Sequence, residues 1–243
     1  MASNPMLNRA FREEAVAGQG LMTLNGFLNK AFFLLLLVVF PAGLVWNQFY
    51  LTGNLSSISG WVFGGAIAGL ILAILTAFFK RIAIITAPLY AIAQGLFLGG
   101  ISAFFELMYP GIVLQAVMLT GAIFLMMLFL YRTGIIKPTA KFMMGVAAAT
   151  GAVGLVYLAS FILGFFSISI PFIHSNGWVG IGFSAVVIVI AALNLIIDFA
   201  LVEEGVKNGA PKYIEWYAAF ALLVTLVWLY FEILRLLSKL RSR

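Results

Sequence analysis

The chain has no cysteine and a single histidine, His174, which excludes disulfides, thiolate metal sites, thiol nucleophiles and multi-histidine metal centres. It is also poor in charge. Only 9% of its 243 residues are Asp, Glu, Lys or Arg against 64% hydrophobic, and the mean hydropathy of +1.13 leaves no room for a soluble domain. The net charge of +6 comes from Lys and Arg in short loops and at the tail, a pattern suited to anionic lipid headgroups; no nucleic-acid partner is expected. The first 30 residues carry Arg9, Arg12, Glu13 and Glu14 but no compact apolar core before a small-residue cleavage site, so a retained amino terminus is expected. No metal site and no cofactor are expected.

What remains is a series of apolar runs. They cover Ala31 to Trp46, Ile58 to Phe79, Ile82 to Phe105, Ile112 to Tyr131, Phe142 to Ile173, Trp178 to Val202 and Trp216 to Leu237. Most approach the roughly 20 residues that cross a hydrocarbon core. The breaks are short and chemically distinct: Asn47 with Thr52-Gly53-Asn54, Lys80-Arg81, Pro110-Gly111, Gly134 to Lys141, His174 to Gly177, and Glu203 to Pro211. This predicts an all-α polytopic membrane protein, a seven-helix bundle. Residues 1–29 form a cytoplasmic segment, residues 30–240 the membrane domain and residues 241–243 a basic tail.

Orientation follows from the basic loops, with Lys80 and Arg81 after span two and Arg132, Lys137 and Lys141 after span four. Those loops are assigned to the cytoplasm, together with the amino terminus and a mixed-charge loop holding Glu203, Glu204, Lys207 and Lys212. Seven crossings then place the carboxy terminus outside, against the preference of Arg235, Lys239, Arg241 and Arg243 for the cytoplasm. Small residues four apart (Gly65 and Gly69, Gly95 and Gly99, Ala147 and Gly151) mark close helix packing. Pro41 and Pro88 are placed to kink their helices, and Pro171 to end span five.

The residue that stands out is Asp198, in an otherwise uncharged run where an aspartate at mid-membrane costs roughly 2.5–3.5 kcal/mol. It reads as part of a conduction or sensing site, or else as a residue near enough to the helix end for water to reach. Asn194, one turn earlier on the same face, extends a polar stripe. Glu232 either pairs with Arg235 near the interface or shares a proton with Asp198. A simple hairpin places Ala221 opposite Asp198 and leaves Glu232 about ten residues, or roughly 15 Å, further along. Gln94 serves as a cross-helix hydrogen bonder or as lining for a polar path. Lys80 and Arg81 snorkel to headgroups, or reach inward as a latch on Asp198. Ser167, Ser169 and Ser184 lack a nucleophile context, and no enzymatic activity is expected.

Several segments resemble the bacterial branch of the Bax inhibitor-1/YccA family. They are Met22-Thr23-Leu24-Asn25-Gly26 with Lys30, Pro88-Leu89-Tyr90 leading to Gln94-Gly95-Leu96, Asp198-Phe199, and Glu215-Trp216-Tyr217 leading to Leu229 through Leu237. The resemblance spans nearly the whole chain. It implies six helices around a central helix seven, an inner-membrane location, and a pH-sensitive calcium leak gated by paired aspartates on helices six and seven. Asp198 matches the first aspartate, Glu232 stands in place of the second, and Gln94 stands where many members carry glutamate. Some bacterial relatives look instead like regulators of a membrane-bound AAA protease. Calcium prefers six to eight oxygen ligands, so two carboxylates with Gln94, Asn194 and backbone carbonyls would form a weak site of the kind conduction needs.

Overall fold

A computed structural model of the chain describes residues 20–166 and 177–242. Among the described residues seven α-helices follow one another: α1 (Leu24–Thr52), α2 (Ser56–Phe78), α3 (Ala83–Met108), α4 (Ile112–Arg132), α5 (Ala140–Phe165), α6 (Trp178–Lys207) and α7 (Ile214–Arg241), with a 3-10 turn at Lys80–Ile82 between α2 and α3. Each helix is long and apolar enough to cross a membrane, and the protein is a multi-pass membrane protein. Hydrocarbon offers no hydrogen bonds, so each crossing segment satisfies its backbone internally as a helix. Exposed apolar side chains such as Phe63, Leu114 and Phe161 are what a lipid-facing surface requires.

The expected spans are all present, but several of their ends move outward. α1 starts at Leu24 because Thr23 caps it and ends at Gly53, whose φ of 61° stops the helix, so Asn47 lies inside α1 and is not a break. Glu203, Glu204 and Lys207 are the last turns of α6 and not a loop. Lys239 and Arg241 likewise extend α7. Polar residues within reach of headgroups and water do not interrupt a helix, and hydropathy alone trims them off. Helix α5 ends at Phe165, short of the expected Ile173, and Pro171 lies outside the described residues.

The chain divides into two compact units, one running to Phe104 with Ala200–Val224, the other Phe105–Phe199 with Thr225–Arg243. In the first unit, the expected glycine contacts form. A Cβ on Gly65 would meet the Ala93 carbonyl at 2.6 Å, one on Gly99 the Ala42 carbonyl at 2.6 Å, and one on Gly95 the Val38 carbonyl, so α2, α3 and α1 approach backbone to backbone. Ala147 and Gly151 do not do this, since Gly151 has open space where a side chain would stand.

The first unit also contains a helix cap assembled from distant residues. Thr23 Oγ1 accepts from Gly26 N at 3.0 Å, while Thr23 N donates to Glu215 Oε1 at 2.8 Å. In a local capping box that returning carboxylate belongs to the third helical residue. Here the third residue is Gly26, and Glu215 of α7 enters the space its side chain would fill. Glu215 is fully buried and also accepts from Lys30. An antiparallel bridge between Leu21 and Pro211 lies beside it. α7 packs further on α1 through Trp216 and Phe33, with ring centroids 6.1 Å apart, and on α3 through Phe220 and Tyr90 at 4.9 Å. In the second unit α7 contacts α5 and α6 through Glu232 and Lys239.

Gly26→Ala should therefore lower stability by roughly 1–3 kcal/mol, because the new methyl overlaps a carboxylate that is locked by Thr23 and Lys30. Thermal unfolding of the purified protein in detergent checks this; an unchanged midpoint would show that the cap is dispensable.

Candidate functional site

Among the described residues, three buried side-chain oxygens have no hydrogen-bond partner: Gln94 Oε1, Asp198 Oδ2 and Glu232 Oε2. All three belong to residues singled out from the sequence. Asp198 lies in the second unit on α6, where its carboxylate is hydrogen-bonded by the Thr225 hydroxyl of α7. Thr225 is itself buried. One turn earlier, Asn194 Nδ2 donates to Thr150 Oγ1 of α5 and to the Ile190 carbonyl, each at 2.8 Å. Asn194 and Asp198 of α6, with Thr225 of α7, thus place polar side chains together inside apolar spans. Among the described residues no group of three or more acidic or histidine side chains could hold a metal ion firmly.

Glu232 does not join this group. The direct pairing with Asp198 implied by the resemblance is absent, since Glu232 Oε1 accepts instead from the Tyr157 hydroxyl at 2.7 Å and, more weakly, from Arg235 Nη1 at 3.4 Å. Asp198 meets α7 at Thr225, so Glu232 stands seven residues, or about 10 Å of helix, beyond that level. The sequence estimate of ten residues erred by one helical turn and had the correct sense. The interfacial alternative also needs correction: the Arg235 contact forms, yet the Glu232 side chain is only 1% exposed. Glu232 and Arg235 line a cavity of about 660 Å³ between α5 and α7.

The basic end of α7 is held by the protein. Lys239 is buried and its Nζ donates to the Gly180 carbonyl at 2.9 Å and to Ser184 Oγ at 3.0 Å. Arg241 donates to the Pro110 carbonyl at 2.7 Å and to Gln115 Oε1 at 2.9 Å. Ser184 gains from the fold the basic partner it lacks in sequence. Because Ser184 is completely buried, the contact fastens α6 to α7 and presents no accessible nucleophile.

Gln94 is in the first unit, its amide so placed that a Cβ on Gly69 would come within 2.8 Å of Nε2. That is a helix-to-helix contact. Lys80 and Arg81 are exposed, and Lys80 Nζ lies 5.1 Å from the centre of the Tyr217 ring. His174, Ser167 and Ser169 lie outside the described residues. Sequence reasoning did not find Tyr157, Thr225, Lys239 and Glu215 as partners. Tyr157 and Thr225 are unremarkable in apolar runs, and Lys239 and Glu215 sit near span ends where snorkelling is the ordinary explanation.

Lys239→Met should lower the thermal midpoint in detergent more than Ser184→Ala does, because the first loses two charge-assisted hydrogen bonds of roughly 1.5–3 kcal/mol each and the second only one of them. Equal midpoints for the two variants would show that Lys239 is not a fastening residue.

The comparison with curated proteins finds no match, and the comparison with solved structures finds none either. The family model for Bax inhibitor 1 like proteins matches residues 4–242, nearly the whole chain. The seven apolar helices and this match lead to one conclusion: the chain belongs to the Bax inhibitor 1 like family.

Proposed function

We propose that the protein is a pH-sensitive cation leak of the inner membrane, with its amino-terminal segment cytoplasmic and with Asp198 as the titrating group in the ion path. One observation carries this reading: Asp198 sits within a membrane-spanning helix with one carboxylate oxygen unclaimed, next to Thr225 and one turn from Asn194. A carboxylate kept at such cost in a span belongs to an ion or proton route by default. An ionised Asp198 offers a cation one full charge and a few neutral oxygens. Protonation removes the charge and converts an acceptor into a donor. So sparse a ligand set holds calcium weakly, and weak binding lets an ion leave as readily as it enters. Gating rests on Asp198 with a threonine hydroxyl in place of a second carboxylate.

Purified protein in liposomes should pass calcium at a rate that varies with pH. Asp198→Asn, which keeps the size and most hydrogen bonds but cannot titrate, should flatten that dependence while the protein still folds. Glu232→Gln should leave it unchanged, because Glu232 is bound to Tyr157 and lies about 10 Å of helix beyond Thr225. Wild-type liposomes that pass no cation at any pH would end the channel reading. A pH curve for Asp198→Asn that superimposes on wild type would remove Asp198 from it.

A further inference from the structure

The polar contacts of α7 repeat along its length in a way that conduction at Asp198 alone does not use. Thr225, Glu232 and Lys239 follow one another at intervals of seven residues, all three are buried, and each bonds a polar side chain of a neighbouring helix. Seven residues bring a helix back to nearly the same face about 10 Å further along. The partners keep step. Thr225 meets Asp198 and Lys239 meets Ser184, so fourteen residues forward along α7 are matched by fourteen back along α6, and one antiparallel register serves both contacts. On α5, Thr150 bonds Asn194, and Tyr157, seven residues later, bonds Glu232. The second unit therefore carries a polar column through apolar spans, with Asp198 at one end and Lys239 at the other, roughly 20 Å apart by helical rise.

The charge changes sign along this column. Its far end holds two cations, Arg235 and Lys239, against the one carboxylate of Glu232, and Lys239 lies within electrostatic reach of both. Arg235 is engaged by Glu232 and by the faces of the Tyr157 and Phe231 rings. Lys239 is 5% exposed and is held by the Gly180 carbonyl at 2.9 Å and by Ser184 Oγ at 3.0 Å. Both groups are neutral, so these bonds fix the ammonium in position and leave its charge in place. A buried charge is weakly screened and repels any cation that passes it. This one also occupies two oxygens that a passing ion would use as ligands at that level.

We propose that Lys239 is the electrostatic barrier of the route through Asp198, a fixed cation in the polar column that keeps the leak slow and weighs most against divalent ions. The inference rests on the channel reading above. Asp198 attracts a cation, and Lys239 opposes its passage along the column. Because the interaction with a fixed charge doubles for a divalent ion, the barrier discriminates by charge and not by size.

Fluxes of calcium and of potassium into liposomes holding the purified full chain test the assignment. Lys239→Gln removes the charge at similar length, and it should raise potassium flux about tenfold and calcium flux about a hundredfold. The second factor is the square of the first because the barrier energy scales with the charge of the ion. Ser184→Asp keeps Lys239 in place and sets a carboxylate against it, so it should shift the calcium-to-potassium ratio in the same direction; it supplies the measurement if Lys239→Gln does not fold. Equal gains for the two ions would mean that the helices have merely loosened, and overturn the proposal. Fluxes unchanged from those of a conducting wild type overturn it as well and leave Asp198 in its role. If the wild type and both variants pass no cation at any pH, the channel reading itself falls and the barrier with it, so the wild-type rate tells the two failures apart.

Discussion

Hydrocarbon supplies no hydrogen bonds, and the rest of the structure follows from that constraint. Each span satisfies its backbone as one helix, which leaves helix ends and side chains as the places where polar chemistry has to be resolved. The first turn of α1 shows how. Its capping carboxylate comes from Glu215 of α7, so one buried group both terminates a helix and joins two distant parts of the sequence. Gly26 is required for this because any side chain there would occupy the carboxylate's place.

The buried polar groups fall into two kinds, according to whether their hydrogen bonding is complete. Glu215 has donors on both oxygens, and Lys239 holds a carbonyl and a hydroxyl; these fasten helices together. Asp198 and Glu232 each keep one oxygen unclaimed inside a span. A protein gains nothing in stability from such a group, whose unpaired oxygen carries its full desolvation cost. The two incomplete carboxylates are therefore the positions at which a new donor or cation would alter the energetics most. Their neighbours differ: Thr225 and Asn194 around Asp198, and aromatic rings with a guanidinium around Glu232.

The glutamate at position 232 illustrates how one side chain can redirect a site. It stands where the family resemblance implies an aspartate, and the Tyr157 hydroxyl of α5 takes one of its oxygens. Asp198 then turns to Thr225, a turn or two nearer the amino-terminal end of α7. A motif that aligns by position does not carry its pairing with it when the side chain finds a stronger partner.

The sequence by itself determined the membrane class and the seven spans, and it singled out Asp198 and Glu232, because the cost of placing charge in hydrocarbon leaves few such residues and makes each conspicuous. It also identified Gly65, Gly95 and Gly99 as packing positions. The ends of α6 and α7 extended beyond the apolar runs, since headgroups and water tolerate Glu203, Lys207, Lys239 and Arg241 within a helix. Only the tertiary structure decided the partners. Which hydroxyl meets Asp198, which donor takes Glu232 and which base reaches Ser184 depend on the register between neighbouring helices. Register is set by side-chain packing summed along whole helix faces, and no local spacing in the sequence encodes it.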